Sequence, residues 1–212
     1  MLIEFKRPTI VLASNSPRRE RVLREHNIRF VKFPSPFDDS TVNDDFSHEN
    51  VTKRQEEQYA KSMTLAKLQP FIDNSRNAAV ITADTTVLCM GRILEKPITR
   101  DKCREQHQFI SGKKTVVYTA IAVYYDGKVK CDLLKAKVRI KPLPPEVIEE
   151  ICNEDETLDC AGFRRAGALR PYAVFSKRNK DSRGISIPMI LKMLRKFGFP
   201  KSEIYDKIPV SQ

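Results

Sequence analysis

The sequence is short of the residues that carry the commonest site chemistries. Its three histidines (His26, His48, His107) and five cysteines (Cys89, Cys103, Cys131, Cys152, Cys160) are dispersed along 212 residues. No C-x-x-C pair occurs, and an odd number of thiols without metal-like spacing argues against a disulfide framework or a zinc site. The cysteines read as reduced thiols of core or surface, and no histidine is given a catalytic role. A Ser-His-Asp set, H-E-x-x-H and G-x-G-x-x-G are all missing, which removes the usual nucleophile triad, zinc-protease and dinucleotide signatures. No apolar run approaches the roughly 18 residues that span a bilayer. The first eight residues, Met-Leu-Ile-Glu-Phe-Lys-Arg-Pro, lack a signal-peptide apolar region. A cytosolic location and no membrane partner are therefore expected.

What remains is the composition of an ordinary globular protein, 41% hydrophobic and 31% charged, with a formal net charge of +11. The length suits one large domain or two closely joined lobes around a substantial core. The positive charge favours a polyanionic partner, either nucleic acid, a membrane surface or a phosphorylated small molecule. Lys and Arg dominate residues 1–37 and 164–201, whereas 38–57 is acidic. There is no internal repeat, low-complexity tract or coiled coil.

Helical and strand patterns interleave along the chain, which predicts an α/β fold with a mixed sheet flanked by helices. Ile10–Ala13 reads as a buried strand, Pro17 to about Asn27 as a helix with Val22 and Leu23 inward, and Ile28–Phe33 as a second strand. Helical periodicity covers about Val51 to Phe71. Ala78–Ile81 reads as a near-continuous apolar strand that ends in Thr82-Ala83-Asp84-Thr85-Thr86, followed by Val87–Met90. Thr99 starts a helix that Ser111-Gly112 closes, and Thr115–Tyr125 with Lys128–Ile140 form a hairpin around Asp126-Gly127. Pro145 to about Cys152 and Pro188–Phe197 are further helices, and Tyr172–Ser176 a further strand.

Ser14-Asn15-Ser16-Pro17-Arg18-Arg19 carries the most chemical information. Ser16 suits an N-cap and Pro17 the first helical position. Two arginines there oppose the helix dipole unless an anion is received, and phosphate is the natural one. A solvated helix start that happens to be basic is the alternative. Asp84, read as the end of a buried strand, can hold a hard cation or deprotonate a water, or can simply cap its own turn. Asp38-Asp39, in a proline-bounded loop, can supply a second carboxylate or remain solvated. Lys96 is held by the stiff Lys96-Pro97 loop, and Lys67 lies on a helix. Arg18, Arg19, Lys67 and Lys96 with Asp39 and Asp84 form a coherent set. The cations suit a triphosphate, and the carboxylates suit Mg²⁺ or Mn²⁺ and the activation of water.

In order along the chain stand Ser14-Asn15-Ser16-Pro17-Arg18-Arg19-Glu20, Phe37-Asp38-Asp39, Tyr59 with Lys67, Ala83-Asp84-Thr85, Lys96-Pro97, Phe109–Gly112 and Tyr118-Thr119-Ala120. This arrangement resembles the Maf family of nucleoside triphosphate pyrophosphatases. The resemblance implies an elongated α/β protein of two lobes around a nucleotide cleft, forming a single unit over residues 1–212. It also implies cleavage between the α- and β-phosphates, a divalent metal cofactor and a homodimer. Asp84 is implied as proton acceptor, Asp39 and Asp84 as metal ligands, and Arg18 and Thr85 as base-selecting residues. Lys67 and Lys96 are implied at the phosphates, with Ser14 and Arg19 also at the substrate.

Two departures stand out. Asp39 replaces the family's usual Glu, and Ala161-Gly162-Phe163-Arg164-Arg165-Ala166-Gly167 replaces its Ala-Gly-x-Tyr-Gly-Ile-Gln-Gly. The substrate-reading Gln has no counterpart, so either Arg164 or Arg165 substitutes for it or base selection is relaxed. Ser-Pro-Arg-Arg and Ala-Asp-Thr match the dTTP/UTP branch, with modified pyrimidine triphosphates also open. Members acting on 7-methyl-GTP carry Ser-Pro-Tyr-Arg and Ser-Asp-Gln. A catalytically weak nucleotide- or partner-binding protein is the alternative. Nucleic-acid binding rests on charge alone and has no recognition motif behind it.

Overall fold

The computed structural model describes residues 2–37, 49–162, 167–176 and 184–206. Seven strands form one mixed sheet: β1 (Ile3–Leu12), β2 (Val31–Lys32), β3 (Ser75–Cys89), β4 (Arg92–Leu94), β5 (Lys114–Tyr125), β6 (Lys128–Ile140) and β7 (Ala173–Phe175). The spatial order is β2-β1-β3-β5-β6-β7, with β4 also paired to β3. β1 is parallel to both β2 and β3, and every other pairing is antiparallel. Among the described residues six α-helices accompany it: α1 (Pro17–Glu25), α2 (Lys53–Leu68), α3 (Arg100–Ile110), α4 (Pro145–Asn153), α5 (Asp155–Leu158) and α6 (Ile187–Phe197). The α/β class with a mixed sheet is as the sequence predicts. None of the described helices is long and apolar enough to cross a membrane.

Turn chemistry sets the hairpins. Asp126 and Gly127 both take positive φ between β5 and β6, as do Met90 and Gly91 between β3 and β4, the geometry that matches strand twist in two-residue loops. Thr99 caps α3 by accepting from the Lys102 amide, and Thr52 and Gln55 form a reciprocal capping box on α2.

Two expected elements differ in extent. The second strand shrinks to Val31–Lys32, while Ile28 makes only an isolated bridge to Tyr205. The larger correction concerns Thr82–Thr86, which does not end the strand. β3 runs unbroken through it, because β5 pairs continuously from Val80↔Tyr124 to Cys89↔Thr115. Threonine is a strand-former, and a full-length partner keeps these residues in the ladder. Asp84 therefore lies inside the longest strand, not at the end of one.

Helices cover the sheet unevenly. On one face, α1 and α6 pack over Ile81 and Ala83, while α3 and α4 pack over Val87 and Cys89. Thr85, of the same parity on the strand, falls between the two groups. α2 lies on the opposite face, where Leu68 packs against Val80 and Ala60 against Leu88.

Candidate functional site

The site begins with a gap in the hydrogen-bonded ladder. On one edge of β3, pairing with β1 stops at Leu12↔Ile81 and pairing with β4 starts at Val87↔Leu94. Thr82–Thr86 thus has β5 on one side and no strand among the described residues on the other. β1 leads directly into the Ser14–Arg19 segment, so the basic start of α1 lies at this notch.

Alternation along β3 sorts its side chains to two faces. On the face between the helix groups, Arg19 donates to Ser14 Oγ at 2.9 Å, to the Gly184 carbonyl at 2.9 Å and to Thr85 Oγ1 at 3.4 Å. Thr85 Oγ1 also meets Thr119 Oγ1 at 3.4 Å. Arg18 lies beside the same cluster, its Nε 4.0 Å from where a Cβ on Gly184 would stand. Ser16 occupies the N-cap position without a side-chain capping bond. Ser14 Oγ takes the Ser16 amide instead, at 3.2 Å.

On the α2 face stand Thr82, Asp84 and Thr86. The Lys67 ammonium is 2.6 Å from Asp84 Oδ1, and both side chains are about six-sevenths covered. Thr82 Oγ1 donates to the Thr64 carbonyl at 2.9 Å. One turn inside the start of α2 lies Glu56, wholly buried. Neither of its oxygens has a hydrogen-bond partner among the described residues, nor has Thr86 Oγ1. Burial pushes the Glu56 carboxyl up to about 7. The neighbouring Thr86 hydroxyl pulls the other way, and the charge of Asp84 adds to the rise.

The predicted set is thus only partly assembled. Ser14, Arg18, Arg19 and Thr85 come together on one face of the notch, and Lys67 joins Asp84 on the other. Lys96 follows β4, but its ammonium is 2.6 Å from Asp159 Oδ1 in an exposed pair. Asp39 and Arg165 lie outside the described residues. Gly162 sits close over the site's far wall, where a Cβ would come within 2.8 Å of Val87 Cβ, and its amide donates to the Glu95 carbonyl at 3.3 Å.

Glu56 is the functional candidate that sequence reasoning missed. Within Lys53-Arg54-Gln55-Glu56-Glu57 it looks like a solvated helix start. The available signal was its i, i+4, i+7, i+8 spacing with Ala60, Met63 and Thr64, all buried. The buried Glu56 carboxyl, which feels the charge of Asp84, supplies hard oxygen donors of the kind that suit Mg²⁺ or Mn²⁺ better than a soft metal.

Comparison with known proteins supplies the family. The Maf-like protein family matches residues 9–197. The chain belongs to the Maf family. A dTTP/UTP pyrophosphatase of Neisseria meningitidis serogroup B is 32% identical over 196 residues, covering 90% of this chain and 95% of that protein. A dTTP/UTP pyrophosphatase of Halalkalibacterium halodurans is 28% identical over 192 residues, covering 90% and 96%. One of Moorella thermoacetica is 33% identical over 155 residues, covering 72% and 75%.

Proposed function

We propose that this Maf protein hydrolyses a nucleoside triphosphate, dTTP or UTP or a modified pyrimidine analogue, to the monophosphate and pyrophosphate. The observation that carries the reading is the Lys67–Asp84 pair at the open edge of β3, facing the same notch as the Arg19–Ser14–Thr85 cluster. Asp84 accepts a proton from the attacking water, the new P–O bond forms at the α-phosphorus, and the bond to the bridging oxygen breaks as pyrophosphate leaves. Lys67 orients the Asp84 carboxylate and presents its charge to the phosphates. Arg19, fixed by three acceptors, shapes the opposite wall together with Ser14. Arg18, which makes no hydrogen bond or ion pair among the described residues, is available to the base or a phosphate, with Thr85 beside it. Asp84 and Glu56 would hold the divalent cation, with Asp39 as a third carboxylate. When bound, that ion neutralises phosphate charge and acidifies water.

The test is incubation of the purified protein with a panel of canonical and modified triphosphates plus Mg²⁺ or Mn²⁺, with product identification and Asp84→Asn in parallel. Monophosphate and pyrophosphate from a pyrimidine substrate, with turnover reduced by about 10²–10⁴ in the variant and triphosphate binding retained, are expected. Unchanged turnover in Asp84→Asn removes the assignment of this carboxylate. Binding without turnover across the panel leaves a nucleotide-binding protein, a reading favoured by the engagement of Lys96 with Asp159.

A further inference from the structure

Three of the dispersed thiols and histidines meet in the core between α3 and α4. Cys103 and His107 are one turn apart on the inner side of α3, and Cys152 lies near the end of α4. All three are buried, with exposures of 0%, 0% and 1%. One potential ligand atom from each lies within 4.8 Å of the other two, and Cys103 Sγ is 3.4 Å from His107 Nδ1. Three-residue spacing rules cannot see this group, because its third member comes from a separate helix 45 positions further along.

We infer that Cys103, His107 and Cys152 form a binding site for a thiophilic divalent cation of the zinc type, clamping α3 to α4. Zinc bonds of about 2.3 Å to sulfur and about 2.0–2.1 Å to nitrogen set a tetrahedral S···N edge of about 3.6 Å and an S···S edge of about 3.8 Å. The potential ligand atoms lie within 4.8 Å of one another, so closure to these edges asks for about 1 Å.

An independent observation points to a missing partner. His107 is wholly buried, yet its Nε2 has no hydrogen-bond partner among the described residues. Its Nδ1 stands 2.8 Å from the Cys103 carbonyl, and a ligating imidazole commonly gives its second ring nitrogen to such an acceptor. Burial holds the ring pKa below its usual value, so it is the neutral, ligating form that is favoured. The charge balance also fits. Two thiolates, one neutral imidazole and a dication sum to zero, and a neutral centre avoids the cost of burying net charge. Without metal the thiols stay protonated, since burial pushes both upward. Metal entry therefore expels two protons. The inference is independent of the pyrophosphatase reading.

Cobalt is the probe. The reduced, full-length protein, freed of metal, is titrated with Co²⁺ and followed by thiolate-to-cobalt charge-transfer absorption. Zn²⁺ is then added, and thermal melts are recorded with and without Zn²⁺. One cobalt per chain with a thiolate band, displacement by Zn²⁺ and a raised melting temperature are expected. Cys152→Ala fills the same core with a smaller apolar group. It should weaken cobalt binding more than tenfold and lose the band, while Cys131→Ala keeps both. Absence of a thiolate band in folded wild type overturns the site, as does a band that survives in Cys152→Ala. A Cys103–Cys152 disulfide in air-purified protein, with no cobalt band after reduction, overturns it equally.

Discussion

The Glu56 carboxyl, raised by burial from 4.5 to about 7, holds its proton more tightly in the folded chain than in the unfolded one. Its contribution to stability is fully present below about pH 4.5 and is lost as pH rises to about 7, because the unfolded state ionises first. The span corresponds to about 3 kcal/mol. Glu56→Gln should flatten this decline in urea-unfolding free energies measured across that window, and an unaltered pH profile would show that Glu56 ionises normally. If Glu56 also holds the divalent cation, the same variant should raise the Mn²⁺ concentration needed for half-maximal turnover by tenfold or more, with little change at saturating metal. At this scale the sequence was informative where chemistry is local. Ser14, Arg19 and Asp84 stand out in short motifs, whereas Lys67 and Thr85 enter only through the family resemblance. Glu56 does neither, because the docking of α2 onto β3, rather than its neighbours in sequence, buries it.

Elements closed by their own residues were the legible ones. The β5–β6 hairpin follows from Asp126-Gly127, and α3 from its Thr99 cap. β3 was broken too early because its continuity depends on β5, some 35 residues away in the chain, and nothing within Thr82–Thr86 announces that partner. The same dependence on distant contacts hides the role of Gly162. It has a φ of +65° and no room for a Cβ against Val87. Gly162→Ala therefore combines an unfavourable backbone conformation with overpacking against a strand that cannot retreat. A loss of about 2–3 kcal/mol is expected, read as a lower urea midpoint at unchanged slope. A midpoint equal to wild type would mean that this segment moves off β3 at little cost.

For the molecule as a whole, the net charge of +11 gives a field that attracts triphosphates from beyond contact distance. The apparent second-order rate kcat/KM should fall as NaCl replaces low-salt buffer, with kcat at saturating substrate little changed, since salt screens the approach more than the enclosed site. Equal loss of both parameters would place the salt effect in the bound complex instead. Architecture class and charge were open to sequence reading. The division of the site between two faces of one sheet was not, because it arises only when β1, β4 and two helix groups all stop short of the same few residues.

Where β3 passes the notch, its backbone amides and carbonyls have a strand partner on one side alone. The middle of the most central strand is thus an internal frontier, protected as core along one edge and exposed to exchange along the other. Amide exchange there should be faster than on either side and should slow when nucleotide fills the gap. The sheet would then report, through its own protons, whether its site is occupied.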